Sequence, residues 1–227
     1  MTPVAVHVHP GVAAVCALYD GLLGAQAARR GGLEHLRLLA DRVAAGHRSH
    51  HPGARVELSN WHPDLAGRAD AVWAVELSDR DYRDTVARGH GYPDWAAALA
   101  AQPVEPAPDF ERCVEAVLSG DREAVAGLLD QHPGLVTARS HWGHGATLLH
   151  YLAANGVETH RQRVPANAAD MAQLLLDRGA DPTATAHMYG GGQTVLGLLL
   201  TSSHPADAGV TDEVARVLRR AAPPPPV

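Results

Sequence analysis

Two short polar segments of this 227-residue chain carry the residue types that acid–base chemistry requires. One segment, VETHRQRVPAN, contains Glu158 and His160, and the other, SSHPADAGV, contains His204 and Asp207. Carboxylates and imidazoles transfer protons near neutral pH when their surroundings adjust their pKa values. These four residues are therefore the candidate catalytic residues if the fold brings the two segments together.

The elements around these segments repeat a common plan. Residues 109–136 predict two short antiparallel helices, because apolar residues recur at helical spacing on both sides of a break at Gly120. GATLLHYLAANG (145–156) and AADMAQLLLDRGADPTA (168–184) predict a second helical pair. Such self-similarity is typical of repeat proteins.

The second pair is similar in detail to one known repeat. The pattern G-x-T-P-L-H-x-A-A-x-x-G is matched at six positions: Gly145, Thr147, Leu149, His150, Ala153 and Gly156. The chain thus resembles the ankyrin-repeat family, and the resemblance implies an all-α solenoid of about three repeats over residues 106–222. It also implies structural caps, formed by Thr147 with His150 in one repeat and by Thr194 in the last, where Gly197 replaces the usual His.

The chain departs from the ankyrin spacing in two places. About 11 residues, VETHRQRVPAN, are inserted between the inner and outer helices of one repeat, and SSHPADAGV lengthens the next repeat at the same point. Insertions at equivalent positions of adjacent repeats should lie side by side. Arg161, Arg163 and Asn167 are therefore candidate binding residues beside the acid–base residues. The alternative interpretation is two solvated loops held by Arg–carboxylate pairs.

Three consecutive glycines follow the second repeat. Gly190, Gly191 and Gly192 have no Lys-Ser/Thr pair after them, which a phosphate-binding P-loop requires. They are interpreted as a repeat boundary with a lengthened hairpin, in which Tyr189 is a candidate contact residue. Trp142 is the second aromatic candidate for binding.

Residues 1–105 show no clean repeat and predict an enlarged helical N-terminal cap. The pattern predicts helices near 11–28 and 33–45, two more within 78–100, and a short strand near 4–9. Histidines are frequent here, and the weak metal-ligand candidates are His7, His9, His50 and His51. No cysteine or metal-binding motif accompanies them, so no metal or cofactor is predicted.

Composition restricts the partners. A formal net charge of −6 disfavours nucleic acid, whose binding needs a basic surface. The apolar runs are too short to cross a bilayer, and Cys16 and Cys113 lie in no paired motif. We therefore expect a cytoplasmic protein without membrane contact. The proline-rich end, residues 223–227, is expected to be disordered.

Two functions remain open from the sequence. The first is a recognition module that binds a protein partner through the concave face of the repeats. The second is an enzyme or small-molecule binder, such as an isomerase, cyclase or hydrolase, with a pocket between the cap and the repeats. Trp61, Trp73, Trp142 and Tyr189 would line that pocket. A homodimer that buries one end of the array is a third possibility.

Overall fold

The computed structural model describes residues 4–24, 31–103 and 107–222, and this part of the chain is mostly helical. Its α-helices are α1 (Pro10–Leu18), α2 (Gly32–Arg48), α3 (Pro52–Trp61), α4 (Asp79–Gly89), α5 (Trp95–Ala101), α6 (Pro108–Ser119), α7 (Arg122–Gln131), α8 (Leu148–Tyr151), α9 (Ala168–Asp177), α10 (Val195–Thr201), α11 (Ser203–Asp207) and α12 (Thr211–Ala221). Its strands are β1 (Val6–Val8), β2 (Arg163–Pro165), β3 (Thr185–Met188) and β4 (Gly191–Thr194). None of the helices in these ranges combines the length and apolar character of a bilayer span.

Helices α1 to α5 pack around one hydrophobic core. Apolar residues on one face of α2, among them Leu36, Leu39 and Val43, are fully buried in it. Helix α4 begins at a capping box, in which the Ser78 hydroxyl accepts the Asp81 amide and the Asp81 carboxylate accepts the Ser78 amide. Burial of one face and capping of the helix ends explain why this sequence folds into short helices here.

The predicted helix over 11–28 is wrong in its length. Helix α1 ends at Leu18, and the chain then turns at Gly21 and Gly24, whose φ angles of +75° and +72° are left-handed. Glycine adopts this conformation at no steric cost, so a helix ends readily there. Residues 25–28 of the prediction lie outside the described residues.

A second core extends from Phe110 to Leu218 and joins the helical pairs. Helices α6 and α7 form the first hairpin, which turns at Gly120 in the left-handed conformation. Helix α9 packs on α7 and α12, and α10 packs on α8 and α12. Between these pairs, β3 and β4 form an antiparallel hairpin, which we call the finger.

The fold is not purely helical, because two small sheets are present. The strand predicted near residues 4–9 is β1, and it pairs antiparallel with β2 of the inserted segment, with Val6 opposite Pro165 and Val8 opposite Arg163. The sequence gives no signal for this pairing. It fixes the insertion against the N-terminal region.

The inner helix predicted from GATLLHYLAANG forms only one regular turn. Helix α8 ends at Tyr151, and Ala154 adopts a left-handed φ of +46°. The Ala154 carbonyl accepts a hydrogen bond from the Ser202 hydroxyl at 3.2 Å. The chain then enters the inserted segment, whose strand β2 pairs with β1. The proline-rich end at 223–227 lies outside the described residues.

Candidate functional site

A cavity of about 680 Å³ lies between the N-terminal helices and the α6–α7 hairpin. We call it the central cavity. Its apolar wall includes Leu23, Ala116 and Leu128. Its polar and aromatic lining comprises His35, His90, Glu111, Arg112, Glu115, Gln131, His141, Trp142, Glu158, His160 and Arg161.

The loop between α7 and α8 supplies His141 and Trp142 and is docked closely on the cap. Gly91 has a φ of +83°, and a Cβ atom there would lie 2.1 Å from the His144 backbone nitrogen. A Cβ atom at Gly143 would lie 2.7 Å from the Gly91 carbonyl oxygen. Two glycines therefore allow the two backbones to touch. As a result, Trp142 packs into the core of the N-terminal helices.

The inserted segment supplies the opposite wall. Residues Thr159–Arg161 form a short 3-10 turn directly before β2. The Ala166 amide donates to the Ala5 carbonyl at 2.8 Å, beyond the β1–β2 ladder. Because strand pairing holds the segment, Glu158 and Arg161 are buried rather than solvated.

Arg161 is the centre of a buried ion-pair network. Its guanidinium pairs with the carboxylate of Glu111 from α6 and, at 3.1 Å, with the carboxylate of Glu158. Its Nε atom lies 3.5 Å from Glu115, which also pairs with Arg163 at 2.6 Å. The network therefore joins the first hairpin to the insertion.

The network sets the charge state of the site. Burial alone would raise the pKa of Glu158, but the guanidinium of Arg161 and the imidazole of His144 hold it well below its usual range. The pKa of Glu111 is also lowered, because the attraction of Arg161 and the nearby imidazole of His141 outweigh burial. Both carboxyl groups are therefore ionised at neutral pH.

The hydrogen bonds of two buried histidines, His144 beside the network and His90 in the cavity lining, fix the positions of their ring protons. His144 Nδ1 accepts the Ala146 amide at 3.1 Å, so the ring proton lies on Nε2, which is 3.4 Å from Glu158 Oε2. His90 Nδ1 lies 2.8 Å from the Val86 carbonyl and must donate to it, so Nε2 carries the lone pair. Burial lowers the pKa of His90 to about 4. His90 Nε2 is thus a buried acceptor without a hydrogen-bond partner among the described residues.

His141 stands beside a fixed carboxylate. Its Nδ1 atom is 3.6 Å from Glu111 Oε1, and the two side chains are 7% and 11% exposed. Within the described part of the chain, both of its ring nitrogens are buried without a hydrogen-bond partner, because the Nδ1–Glu111 contact is longer than a hydrogen bond. A carboxylate at one ring nitrogen orients the imidazole and favours a proton there, which leaves the other nitrogen as an acceptor. An imidazole placed in this way can accept a proton from a molecule in the cavity.

The structure brings some of the predicted site residues together and separates others. Glu158, His160, Arg161 and Trp142 line the central cavity, where burial and the charge of Arg161 hold the pKa of His160 well below its usual range. His204 and Asp207 are not among its lining residues.

The two lengthened segments nevertheless touch. Helix α11 packs on β1 and β2, and His204 Nε2 lies 3.1 Å from Gln162 Oε1. The His204 ring also lies 5.6 Å from that of His9, whereas Asp207 is exposed. The predicted proximity of the segments is observed, but β1 occupies the space beside the insertion. The prediction of one site formed by Glu158, His160, His204 and Asp207 is therefore wrong for His204 and Asp207, which lie outside the central cavity.

Arg163 and Asn167 have structural contacts. Arg163 pairs with Glu115 at 2.6 Å at the cavity edge. Asn167 donates to the Gly120 carbonyl at 2.9 Å and so fastens the insertion to the α6–α7 turn. Neither residue lines the central cavity.

The aromatic candidates are divided among three places. Trp142 lies in the central cavity, whereas Trp61 and Tyr189 lie in a separate pocket at the finger. Trp73 stacks on His50 at the far side of the cap, with ring centroids 4.8 Å apart. The prediction that all four aromatic residues line a single pocket is therefore wrong.

The predicted structural caps are formed by the expected atoms. The Thr147 hydroxyl lies 2.8 Å from His150 Nδ1, and His150 Nε2 lies 3.3 Å from the Gln193 carbonyl. Burial lowers the pKa of His150 to about 4. In the last repeat, the Thr194 hydroxyl accepts the Gly197 amide at 3.2 Å.

The N-terminal histidines mostly have local roles. His9 and His51 accept the Gly11 and Gly53 amides and so cap α1 and α3. His7 lies in β1. Across residues 4–24, 31–103 and 107–222, no group of three or more His, Cys, Asp or Glu side chains is placed to hold a metal ion.

Several polar cavity residues were missed by sequence reasoning, among them His35, His90, Glu111 and His141. One signal was present, because Glu111 precedes Val114 and Leu118 by three and seven positions and thus shares the apolar face of α6. A charged residue on a buried face needs a partner or a function. The histidines gave no such signal, since tertiary docking alone brings them together.

Comparison with family models, with curated proteins and with solved structures found no significant match for this chain. The ankyrin-repeat resemblance therefore stays a prediction.

Proposed function

We propose that this protein binds a small organic molecule in the central cavity and transfers a proton to or from it. The observation that carries the proposal is the buried His141–Glu111 pair, in which the imidazole lines the cavity and its Nε2 atom has no hydrogen-bond partner among the described residues. A buried polar atom without a partner is costly unless a ligand or water satisfies it.

Each group has a chemical role in this proposal. The Glu111 carboxylate faces the Nδ1–H group of His141, which keeps its proton, and Nε2 removes a proton from the ligand, giving an imidazolium ion that the carboxylate stabilises. The same nitrogen returns the proton to another atom of the product. His90 Nε2 accepts a hydrogen bond from a hydroxyl or amino group of the ligand. An isomerisation or cyclisation that begins with proton abstraction needs these roles.

Arg161 acts as a positioning residue. It holds Glu111 ionised and in place, and its pKa is raised well above its usual value because the attraction of Glu158 and Glu111 outweighs burial. The apolar wall and Trp142 would enclose the carbon skeleton of the ligand. The cavity volume lies within the range of small-molecule sites, about 300–1,000 Å³.

The ankyrin-repeat architecture belongs to the same proposal. It is supported by the helical pairs, the finger between them, and the Thr147–His150 cap at the start of α8. In this arrangement the repeats provide one wall of the cavity and the N-terminal helices cover it. Recognition of a protein partner through the concave face, and a homodimer, stay predictions.

Proton transfer can be tested without a known substrate. The protein is incubated in D2O with a mixture of small ketones, keto acids and hydroxy acids, and deuterium uptake into each compound is measured by mass spectrometry. We expect uptake into at least one compound with the wild type and a loss of about 100-fold or more with His141→Asn.

A matched control is available on the surface. His132 lies 3.4 Å from the carboxylate of Asp109, but these side chains are 50% and 41% exposed. His132→Asn should leave deuterium uptake unchanged. Absence of uptake with the wild type, or equal uptake with His141→Asn and the wild type, would overturn the proposal.

A further inference from the structure

A second pocket lies on the other side of the last turn of α4, between α3 and the finger. We call it the finger pocket, and its volume is about 340 Å³. His90 lines the central cavity, whereas Arg88 and Gly91 line the finger pocket. The complete lining is Asn60, Trp61, Arg88, Gly91, Tyr92, Pro93, Gly156, His187, Met188, Tyr189 and Gly190.

Arg88 brings an unsatisfied positive charge to this pocket. Its Nε atom donates to the Pro93 carbonyl at 2.8 Å, which fixes the guanidinium plane. Its Nη1 atom is buried without a hydrogen-bond partner among the described residues, and none of the ion pairs in that part of the chain includes Arg88. A desolvated guanidinium N–H favours an anionic acceptor.

Two aromatic rings stand beside this charge in nearly parallel planes. The rings of Trp61 and Tyr189 are inclined by 14°, with centroids 6.4 Å apart. Hydrogen bonds orient both, because the Trp61 indole donates to Thr159 Oγ1 at 3.0 Å and the Tyr189 hydroxyl donates to Asn155 Oδ1 at 2.5 Å. Parallel faces that are held in place favour a flat ligand.

The backbone at Tyr189 is also unusual. Tyr189 has a φ of +53°, which is left-handed, and its side chain is 65% exposed. Glycine suits such a turn position better, as Gly190 beside it illustrates with a φ of +78°. A large exposed aromatic residue in a strained conformation contributes little to the core, and such strain is concentrated at ligand-binding sites, so its presence here points to contact with a ligand.

We propose that the finger pocket binds a small aromatic carboxylate. The aromatic ring of the ligand stacks on the faces of Trp61 and Tyr189, and its carboxylate accepts a hydrogen bond from Arg88 Nη1. The pocket volume accommodates one ring with a short substituent. This site does not depend on proton transfer in the central cavity, because the two pockets share no side chain from their linings.

Three probes separate the contributions of ring and charge. Benzoate carries both, benzyl alcohol carries the ring alone, and acetate carries the charge alone. Binding is followed in proton–nitrogen NMR spectra through the indole N–H signals of the four tryptophans, of which that of Trp61 is assigned by its absence in Trp61→Phe. We expect benzoate to shift the Trp61 signal at millimolar concentration and the other two probes to bind at least about tenfold more weakly.

The variants remove one contact each. Arg88→Gln should weaken benzoate about tenfold or more. Tyr189→Gly should weaken benzoate while leaving the melting temperature unchanged or raised, because glycine suits the left-handed turn. Arg83→Gln is the matched control, since Arg83 is on the same helix beside the Trp95 ring, 6.0 Å from its centroid, and does not line the pocket.

Four results would overturn the inference. One is the absence of any shift of the Trp61 signal with benzoate. The second is equal binding of benzoate and benzyl alcohol, and the third is equal loss of affinity in Arg88→Gln and Arg83→Gln. A shift of the Trp142 signal alone would also overturn it, because the ligand would then lie in the central cavity, where it would bear on the proposed function instead.

Discussion

Replacement of Arg161 by methionine tests the buried ion-pair network most directly. The variant keeps an unbranched side chain of similar reach but leaves Glu158 and Glu111 buried without their cation. Their side chains are 1% and 11% exposed, so solvent compensates only weakly for the missing guanidinium. Loss of one partner from a buried pair costs about 3–5 kcal/mol in free energy of unfolding.

This loss is large enough to measure by thermal unfolding. For a chain of this size, 1 kcal/mol lowers the melting temperature by about 2–4 °C, so Arg161→Met should melt about 10 °C below the wild type at pH 7. Arg122→Met is the control, because its pair with Asp170 is on the surface, at 3.7 Å, with side chains 48% and 67% exposed. The free energy of unfolding of Arg122→Met should be less than about 1 kcal/mol below that of the wild type.

The pH dependence distinguishes a charge effect from a packing effect. In the wild type, the pKa values of Glu158 and Glu111 are lower in the folded protein than the value of about 4.3 in the unfolded chain. The resulting stability is present above about pH 4.3 and is lost as the pH falls through the pKa values of the folded state. Without Arg161, burial raises these pKa values instead, so protonation favours the folded variant. The difference in melting temperature between wild type and variant should therefore shrink from pH 7 towards pH 4. Equal melting temperatures at pH 7, or a difference that is constant with pH, would refute the reasoning.

Three further predictions concern individual positions. Gly91→Ala should lower the free energy of unfolding by about 3 kcal/mol or more, because its Cβ atom would lie 2.1 Å from a backbone nitrogen. Gly67→Ala, at a φ of +71° in open space, should lower it by only about 1–2 kcal/mol, and urea unfolding compares the two variants. Thr147→Ala should lower the free energy of unfolding by about 1–2 kcal/mol, because this cap is buried and Thr147 and His150 bond to each other's residues in both directions. Thr194→Ala should lower it by less, because its cap is a single exposed hydrogen bond, and thermal unfolding measures both losses. Burial raises the pKa of Glu57 to about 7, above the unfolded value of about 4.3, so wild-type stability is lost as the pH rises through 7. The free energy of unfolding of Glu57→Gln relative to that of the wild type should therefore increase by about 2–3 kcal/mol as the pH rises from 5 to 8, as measured by urea unfolding.

Each of these predictions has a contradicting result. Equal losses at the two glycines would mean that backbone conformation, and not close approach, sets the cost. A larger loss at Thr194 than at Thr147 would contradict the ranking of the caps. If Glu57→Gln and the wild type respond identically to pH, Glu57 does not titrate near neutrality.

Local patterns predicted much of the helical structure. The helix pairs, the finger and the Thr147–His150 cap depend on residues that are close in sequence, so spacing and capping rules suffice for them. No helix was predicted at α3 or α11, and α1 and α8 end earlier than predicted, near Gly21 and Ala154, which adopt left-handed conformations. The β1–β2 pairing connects residues far apart in the chain and leaves no periodic signal.

The candidate site was predictable on its insertion side and, outside it, at Trp142. Glu158 and Arg161 were found because the inserted segment interrupts the repeat spacing. Their partners Glu111 and His141 come from α6 and from a loop that docks on the cap, and no spacing rule connects these elements. His204 was assigned wrongly for the same reason, since a strand from the N-terminal region pairs with the insertion beside it.

The pairing of β1 with β2 also has a consequence for folding kinetics. Val6 and Pro165 are about 160 residues apart, so this contact closes a long loop, whereas a helical hairpin closes within a few residues. We expect the hairpins to form early and the N-terminal strand to dock late. The wall that carries Glu158 and Arg161 is then completed in the same late step, so a folding intermediate would have most of the helices but no binding site.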